Sequence, residues 1–134
     1  MVDVVDVIIN SLREGDKLPM ALRRVYVKRN VVVPYSERML DVDIAELNLH
    51  PKVANILYRA RLNTIGKVID FADDVGITEI KALGKRSSIY LFEKILNYCW
   101  EHMNCKEQAE FLIDTVERNQ NNLRPEFKNE EVAV

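Results

Sequence analysis

The sequence predicts a mainly α-helical protein, and two observations carry that prediction. Apolar residues recur at the three- and four-residue spacing of an amphipathic helix in most of the chain, and small-residue turn signals separate these stretches. The first apolar stripe consists of Val4, Val5, Ile8, Ile9 and Leu12. Gly15 follows as a stop signal. We therefore expect a compact bundle of helices that starts with one helix over residues 2–14.

Further helices are expected along the chain. One begins after Asp16, which is a possible cap. The others are expected near 35–46, from His50-Pro51, near 65–72, near 77–82, over 87–102 and over 105–119. Asn104 and Glu107 form the Asn-x-x-Glu pattern of a capped start ahead of the last helix.

The short apolar runs 25–27 and 31–33 leave two structures open. They flank Lys28-Arg29-Asn30, so the segment near 25–33 could be a short β-hairpin with a three-residue turn. It could equally be the end of a helix that continues into one extended segment. Pro34 ends the segment in either case.

The composition is typical of a globular, soluble chain. Of the 134 residues, 48% are hydrophobic and 30% are charged. No apolar run approaches the roughly 20 residues that span a bilayer, and the N-terminus lacks the basic region of a secretory signal. We therefore expect a cytoplasmic protein without membrane contact. The apolar stripes in the terminal segments would pack on the core or on a second copy, so homodimerisation through residues 1–33 is one possible arrangement.

Charge is distributed unevenly along the chain. The net charge is −2, yet residues 50–98 hold eight Lys or Arg against five Asp or Glu, whereas residues 99–134 hold four against eight. The central basic segment permits a local patch for a nucleic-acid backbone. The same excess also suits an ordinary solvated surface.

Candidate ligands and catalytic groups are few. Cys99, His102 and Cys105 have the spacing of metal ligands, but a structural zinc site needs four ligands and no fourth lies nearby. The second histidine, His50, lies in a separate element, and no nucleophile-elbow, nucleotide-phosphate or dinucleotide motif is present. We therefore expect two reduced thiols, no metal, no cofactor and no enzymatic activity.

Two turn signals stand out, Asn63-Thr64-Ile65-Gly66 and Ala82-Leu83-Gly84-Lys85. In the second, Gly84, Lys85, Arg86 and Ser87 open the long helix. The first amides of a helix lack intrahelical partners and carry the positive end of its dipole, so they favour a phosphate group. This pattern is typical of a helix-hairpin-helix element that grips a nucleic-acid backbone. It is also typical of an ordinary helix start with Ser87 as a cap.

Residues 44–97 resemble the C-terminal domain of the bacterial RNA polymerase alpha subunit, which has a helix-hairpin-helix fold. The matching elements are Leu47-Asn48-Leu49, Asn55, Arg59-Ala60, Leu62-Asn63-Thr64-Ile65-Gly66 and Ile80-Lys81-Ala82-Leu83-Gly84-Lys85-Arg86-Ser87. Their order and spacing are kept. The chain is thus expected to be a free-standing relative with a core domain at 44–98. Residues 1–43 would form an N-terminal extension, residues 99–119 a C-terminal helical extension and residues 120–134 a flexible tail.

The resemblance implies weak binding to A·T-rich DNA and docking on RNA polymerase, a sigma factor or a regulator. The implied DNA-binding residues are Lys52, Asn55, Arg59, Gly84, Lys85, Arg86 and Ser87. Lys52 stands where the family has its main DNA-contacting Arg, and Lys lacks the planar guanidinium that suits a narrow minor groove. Of an acidic pair that contacts sigma factors, Glu46 is kept and Asn48 replaces the other member.

Two functions therefore stay open at this point. The chain could be a small DNA-binding accessory protein or transcription regulator that contacts the backbone and minor groove through its helix-hairpin-helix turns. Alternatively, it could be a protein-interaction module that docks on the transcription machinery, or on another partner, without binding DNA.

Overall fold

The fold is mainly α-helical, as the sequence predicts. A computed structural model describes residues 3–28, 31–76, 79–80 and 82–128. Within those ranges the α-helices are α1 (Val4–Arg13), α2 (Leu18–Arg23), α3 (Glu37–Leu40), α4 (Pro51–Arg59), α5 (Ile65–Asp74), α6 (Lys85–Glu101) and α7 (Cys105–Arg118). Short 3-10 helices lie at Ile44–Leu47, Gln120–Asn122 and Pro125–Phe127. The short helix predicted near 77–82 falls largely on residues outside this description.

The chain divides into two compact units. Unit 1 combines Met1–Pro34 with Trp100–Val134, and unit 2 is the continuous segment Tyr35–Cys99. The segment 44–98, which carries the family resemblance, lies inside unit 2. Residues 1–34 and 100–119 of the two predicted extensions belong together in unit 1, whereas residues 35–43 and Cys99 belong to unit 2.

In unit 1, α1 packs against both α2 and α7. The Asp3 carboxylate caps α1 by accepting the Val5 N–H at 2.9 Å, and Gly15 follows the helix with a φ of 104°. The predicted capped start of α7 is confirmed. Asn104 accepts the Glu107 N–H while the Glu107 side chain accepts the Asn104 N–H, which completes a capping box.

Asp16 does not cap α2, contrary to the sequence-based expectation. Lys17 holds the N-cap position and makes no side-chain cap bond. The Asp16 carboxylate instead accepts the Ser11 hydroxyl at 2.6 Å and the Arg24 Nε–H at 2.9 Å. These two bonds orient the carboxylate, and they connect Ser11 of α1 to the residue that follows α2.

The possible β-hairpin near 25–33 is not formed by the residues that the structure describes there. Tyr26 forms an isolated antiparallel bridge with Leu123 instead of with the run 31–33. Val27 donates to the Asn122 carbonyl at 2.9 Å, and Arg124 donates to the Val25 carbonyl at 2.8 Å. The distant C-terminal segment thus takes the hydrogen-bonding positions that a hairpin would have used. The proposed turn residues Arg29 and Asn30 lie outside the described residues.

Residues 120–128 depart from the expected flexible tail. Leu123 is buried, and the Asn119 amide donates to the Val32 carbonyl and accepts the Val32 N–H. Asn122 makes the same pair of bonds with the backbone of Lys28. A polar composition suggested fraying, but the amide side chains satisfy backbone groups far away in sequence. Residues 129–134 lie outside the described ranges.

In unit 2, α3 packs against α5. Thr64 caps α5 by accepting the Lys67 N–H at 3.2 Å. A β-carbon added to Gly66 would lie 2.9 Å from the Leu40 carbonyl oxygen, so the two helices approach as closely as they do only because residue 66 is glycine. The largest fully buried side chains of this unit are Ile44, Leu57, Ile65, Leu91, Ile95, Val68 and Cys99.

A matched pair of glycine substitutions tests this close approach. Gly66→Ser should destabilise the protein by about 1 to 3 kcal/mol, because its new side chain collides with backbone that cannot rotate away. Gly84→Ser adds the same atoms where no atom of the described residues lies within 4 Å, so its stability should equal that of the parent or exceed it by a few tenths of a kcal/mol, since serine is the better N-cap. Urea unfolding followed by circular dichroism measures both. Equal midpoints for the two variants would contradict the proposed packing constraint.

A buried phenol in unit 1 predicts a loss of stability at high pH. Tyr26 is 1% exposed, its hydroxyl has no hydrogen-bond partner among the described residues, and burial raises its pKa to about 12. Between about pH 10 and 12 the unfolded state therefore loses this proton while the folded state keeps it, so stability falls as the pH rises. At about pH 11, Tyr26→Phe should remove about 1.4 kcal/mol of that loss, and it should leave stability at neutral pH unchanged or higher. Urea unfolding near pH 7 and pH 11 checks this, and parallel pH profiles would refute it.

Candidate nucleic-acid interface

The entrance of α4 is fixed against α6 by one tyrosine. His50 holds the N-cap position of α4, and its backbone N–H donates to the Tyr90 hydroxyl at 3.0 Å. The His50 and Tyr90 rings are stacked, with centroids 4.9 Å apart and an interplanar angle of 15°. Tyr90 is the sixth residue of α6, so the starts of the two helices lie near each other.

Tyr90 belongs to a basic stripe on α6. Arg86, Tyr90 and Lys94 follow one another at four-residue intervals and therefore share a face of the helix. The Lys94 Nζ lies 5.7 Å from the centroid of the Tyr90 ring, within the range of a cation–π interaction. Two cations thus flank the stacked aromatic pair.

The start of α6 is open to solvent. Gly84 occupies the N-cap position, since its carbonyl accepts the Ser88 N–H at 3.0 Å. Lys85 and Arg86 are exposed, and Ser87 is half-buried. Ser87 is the third helical residue, so it is not the cap that the sequence allowed. The N-cap residue is Gly84, which has no side chain to accept a hydrogen bond from the first amides of α6.

Among the residues that the structure describes, nothing requires residue 84 to be glycine. Its φ is not positive, so a side chain would not strain the backbone. A β-carbon placed there would meet no atom within 4 Å. Glycine at this position therefore leaves the first amides of a 17-residue helix uncovered.

The candidate residues of α4 form a second exposed stripe. Lys52, Asn55 and Arg59 are all exposed, and their spacing places them on one side of the helix. Lys52 lies two residues after His50, at the end that contacts α6. Arg59 lies about 10 Å further along the axis, so the structure does not join it to the start of α6. We call Lys52, Asn55, Gly84, Lys85, Arg86 and Ser87, together with His50 and Tyr90, the α4–α6 surface.

Arg59 instead lines an apolar groove of about 510 Å³ in unit 2. The other lining residues are Ile56, Ala60, Phe71, Ile80 and Ala82. Ala82 adopts a φ of 73°, a left-handed conformation that is unfavourable for a residue with a side chain. The groove is therefore a separate feature from the basic stripe.

Glu46, the candidate docking residue, is exposed on the 3-10 helix Ile44–Leu47. Asp43 caps that helix by accepting the Ala45 N–H at 2.8 Å, and Asn48 ends it with a φ of 52°. Asn48 thus has a conformational role that suits asparagine, because its short polar side chain tolerates the left-handed region.

Sequence reasoning missed His50 and Tyr90 as parts of the surface. Tyr90 has a signal in the sequence, because it lies four residues after Arg86 on the polar side of an amphipathic helix. His50 was assigned only to a helix entrance. Nothing local in the sequence indicates that its ring stacks on a residue 40 positions away.

The three candidate metal ligands near the end of α6 differ in their environments. Cys99 is buried, and burial raises the pKa of its thiol to about 11. Cys105 and His102 are exposed. Over the described ranges, no three His, Cys, Asp or Glu side chains are grouped as a metal ion would require.

Comparison with family models, with curated proteins and with solved structures finds no match for this chain. No α-helix in the described part of the chain is both long and apolar enough to cross a membrane.

The contrast between the two thiols predicts their reactivity. The thiolate form of an accessible cysteine attacks a disulfide reagent and displaces a thiol from it, so at about pH 8 only Cys105 should react quickly in the native protein. Cys99 should react only when the protein opens. Absorbance of the released thiol should show one fast equivalent in buffer and two in urea. The Cys105→Ser variant provides the control, since it should lose the fast equivalent; rapid labelling of that variant in buffer would refute the assignment.

Proposed function

We propose that this chain is a small DNA-binding accessory protein that contacts backbone phosphates through the α4–α6 surface. The observation that carries the proposal is Gly84, an exposed glycine that neither strain nor packing requires, at the start of a 17-residue helix. A phosphate group could approach the first amides of α6 there, between the exposed side chains of Lys85 and Arg86.

The contact between His50 and Tyr90 gives further support, because it holds the entrance of α4 beside the basic stripe of α6. Lys52 and Asn55 are then available on the same surface. The resemblance to the polymerase alpha C-terminal domain adds a preference for the narrow minor groove of A·T-rich tracts. Such a groove has enhanced negative potential, which would attract the charge of Lys52. Lysine lacks the planar guanidinium that fits the narrow groove.

The proposed interaction is weak and dependent on salt. Lys52, Lys85 and Arg86 provide few cationic contacts, so the dissociation constant should lie in the non-specific range of roughly 10⁻⁴–10⁻⁶ M at physiological salt. Each phosphate contact releases counterions, and the logarithm of the affinity should therefore fall linearly with the logarithm of the salt concentration.

A single substitution separates binding from folding. Gly84→Asp gives α6 a better N-cap and places a carboxylate at the positive end of its dipole, which should stabilise the protein by about 0.3 to 1 kcal/mol. The same carboxylate would repel a phosphate, so affinity for a short A·T-rich duplex should fall about tenfold at about 50 mM salt. Fluorescence anisotropy of a labelled duplex measures the affinity, and urea unfolding measures the stability.

A charge-matched pair of double variants completes this test. Lys85→Gln with Arg86→Gln should weaken duplex binding and lower the salt slope by about 2. Lys106→Gln with Arg118→Gln removes the same charge from exposed positions of α7 and should change the slope little. Equal effects of the two pairs, or full binding by Gly84→Asp, would refute the α4–α6 surface as the DNA contact.

The apolar groove favours docking on a protein as a second candidate function. Its lining residues could accept apolar side chains of RNA polymerase, a sigma factor or a regulator, and Glu46 adds an exposed acidic group. Ala60 is exposed in the groove, so Ala60→Glu should reduce binding to purified RNA polymerase without altering the fold. Biolayer interferometry measures this. Unchanged polymerase binding by the variant would remove the groove from the proposal.

A further inference from the structure

We infer that unit 1 carries a second contact for the nucleic-acid backbone, a pocket of arginines that accepts one phosphate group. The inference rests on the proposed function, since it assigns DNA as the ligand. The pocket has a volume of about 460 Å³ and is lined by Met20, Arg23, Arg24, Arg124 and Glu126. We call it the arginine pocket.

The pairing of residues 25–27 with residues 122–124 assembles this pocket. The Arg124 N–H donates to the Val25 carbonyl at 2.8 Å, which places Arg124 beside the end of α2. The Arg124 guanidinium then donates from Nε at 3.1 Å and from Nη2 at 2.9 Å to the Arg23 carbonyl. A residue 101 positions away is thus fixed beside Arg23, the last residue of α2, and Arg24, which follows it.

Arg24 is also held in place from one side. Its Nε donates to Asp16 at 2.9 Å, and the Ser11 hydroxyl donates to the same carboxylate oxygen. The bond from Ser11, and then that from Arg24, holds the pKa of Asp16 below its usual value, so this anchor stays charged at neutral pH. These contacts use one of the five N–H donors of Arg24 and two of the five of Arg124.

Charge is distributed unevenly along the sequence of unit 1. Residues 17–28 contain Lys17, Arg23, Arg24 and Lys28 and no Asp or Glu. Four acidic residues, by contrast, lie on the 14-residue helix α7. Among the described residues, its lining holds three arginines and one acidic residue, Glu126. This positive lining attracts an anion, and the planar fork of arginine suits the oxygens of a phosphate.

The shape of the pocket favours a phosphate within a polymer. Arg24 and Met20 are exposed, and Met20 retains 44% of its accessible surface, so the pocket is shallow. A pocket that binds a small free ligand buries most of that ligand's surface. A shallow pocket can instead receive one phosphate of a backbone that continues on both sides, with Met20 available to the apolar face of a sugar.

Duplex titration with the full chain tests the inference. The pocket variant carries Arg23→Gln with Arg24→Gln, which leaves the Arg23 carbonyl and its bonds to Arg124 intact. Its affinity for a short A·T-rich duplex should fall about three- to tenfold, and its salt slope should fall by about 1 between about 50 and 200 mM salt. The control is Lys106→Gln with Arg118→Gln. Arg118 is ion-paired to Asp114 at 2.8 Å much as Arg24 is to Asp16, so the control also loses one such pair.

A direct probe of the arginines accompanies the titration. Nitrogen-15 spectra of the guanidinium groups should show shifts of the Arg24 and Arg124 Nε–H signals when the duplex is added. A phosphoserine peptide of matched length should leave these signals unchanged. Shifts with the peptide and none with the duplex would overturn the assignment of nucleic acid.

The outcomes separate this inference from the proposed function. If the pocket variant and its control weaken duplex binding equally, the arginine pocket is not a DNA contact. The α4–α6 surface is then tested separately, by the variants of Gly84, Lys85 and Arg86. Loss of binding in the pocket variant together with normal binding by Gly84→Asp supports the pocket and refutes the α4–α6 surface. No binding of the duplex by the parent protein overturns both.

Discussion

The antiparallel pairing of residues 25–27 with residues 122–124 is the constraint on which unit 1 depends. It places Tyr26 and Leu123 in the core and uses backbone hydrogen bonds that would otherwise be left to solvent. The side-chain amides of Asn119 and Asn122 extend the pairing, because each bonds to both backbone groups of one residue in the opposite segment. An interaction between sequence-distant segments therefore fixes where the end of α2 lies, and with it the arginines that follow.

In unit 2, the side chain of Tyr90 holds together two segments that are far apart in the sequence. Tyr90 accepts the His50 N–H and stacks on its ring, so one residue both satisfies the exposed start of α4 and positions it against α6. Gly84 leaves the adjacent helix start uncovered. Both proposed phosphate contacts include donors that are fixed before any ligand arrives. These donors are the first backbone amides of α6 in unit 2 and the guanidinium groups of Arg24 and Arg124 in unit 1, so little conformational entropy of these groups is lost on binding.

Features that depend on near neighbours could be predicted from the sequence. The helical fold, the glycine that follows α1 and the capping box of α7 are encoded within a few residues each, and the exposure of Lys85 and Arg86 follows from the periodicity of α6. The bridge between Tyr26 and Leu123 has no local signal, so the sequence left a hairpin and a single extended segment open near 25–33 and suggested a frayed tail. The same limit applies to the candidate sites. The stacking of His50 on Tyr90 and the arginine pocket both depend on contacts between residues far apart in the sequence. The spacing of apolar residues does not predict such contacts.

The division of the chain has a consequence for biosynthesis. Unit 2 is continuous, so its residues all leave the ribosome in one stretch and can fold as they emerge. Unit 1 is interrupted by that whole stretch, and its first two helices are made long before the segment that completes their core. Until then α1 and α2 present apolar side chains without their partners. Early folding of the intervening unit brings the two halves closer and lowers the entropy lost in joining them. A destabilised unit 2 would therefore leave the nascent N-terminus exposed to proteases and chaperones for longer.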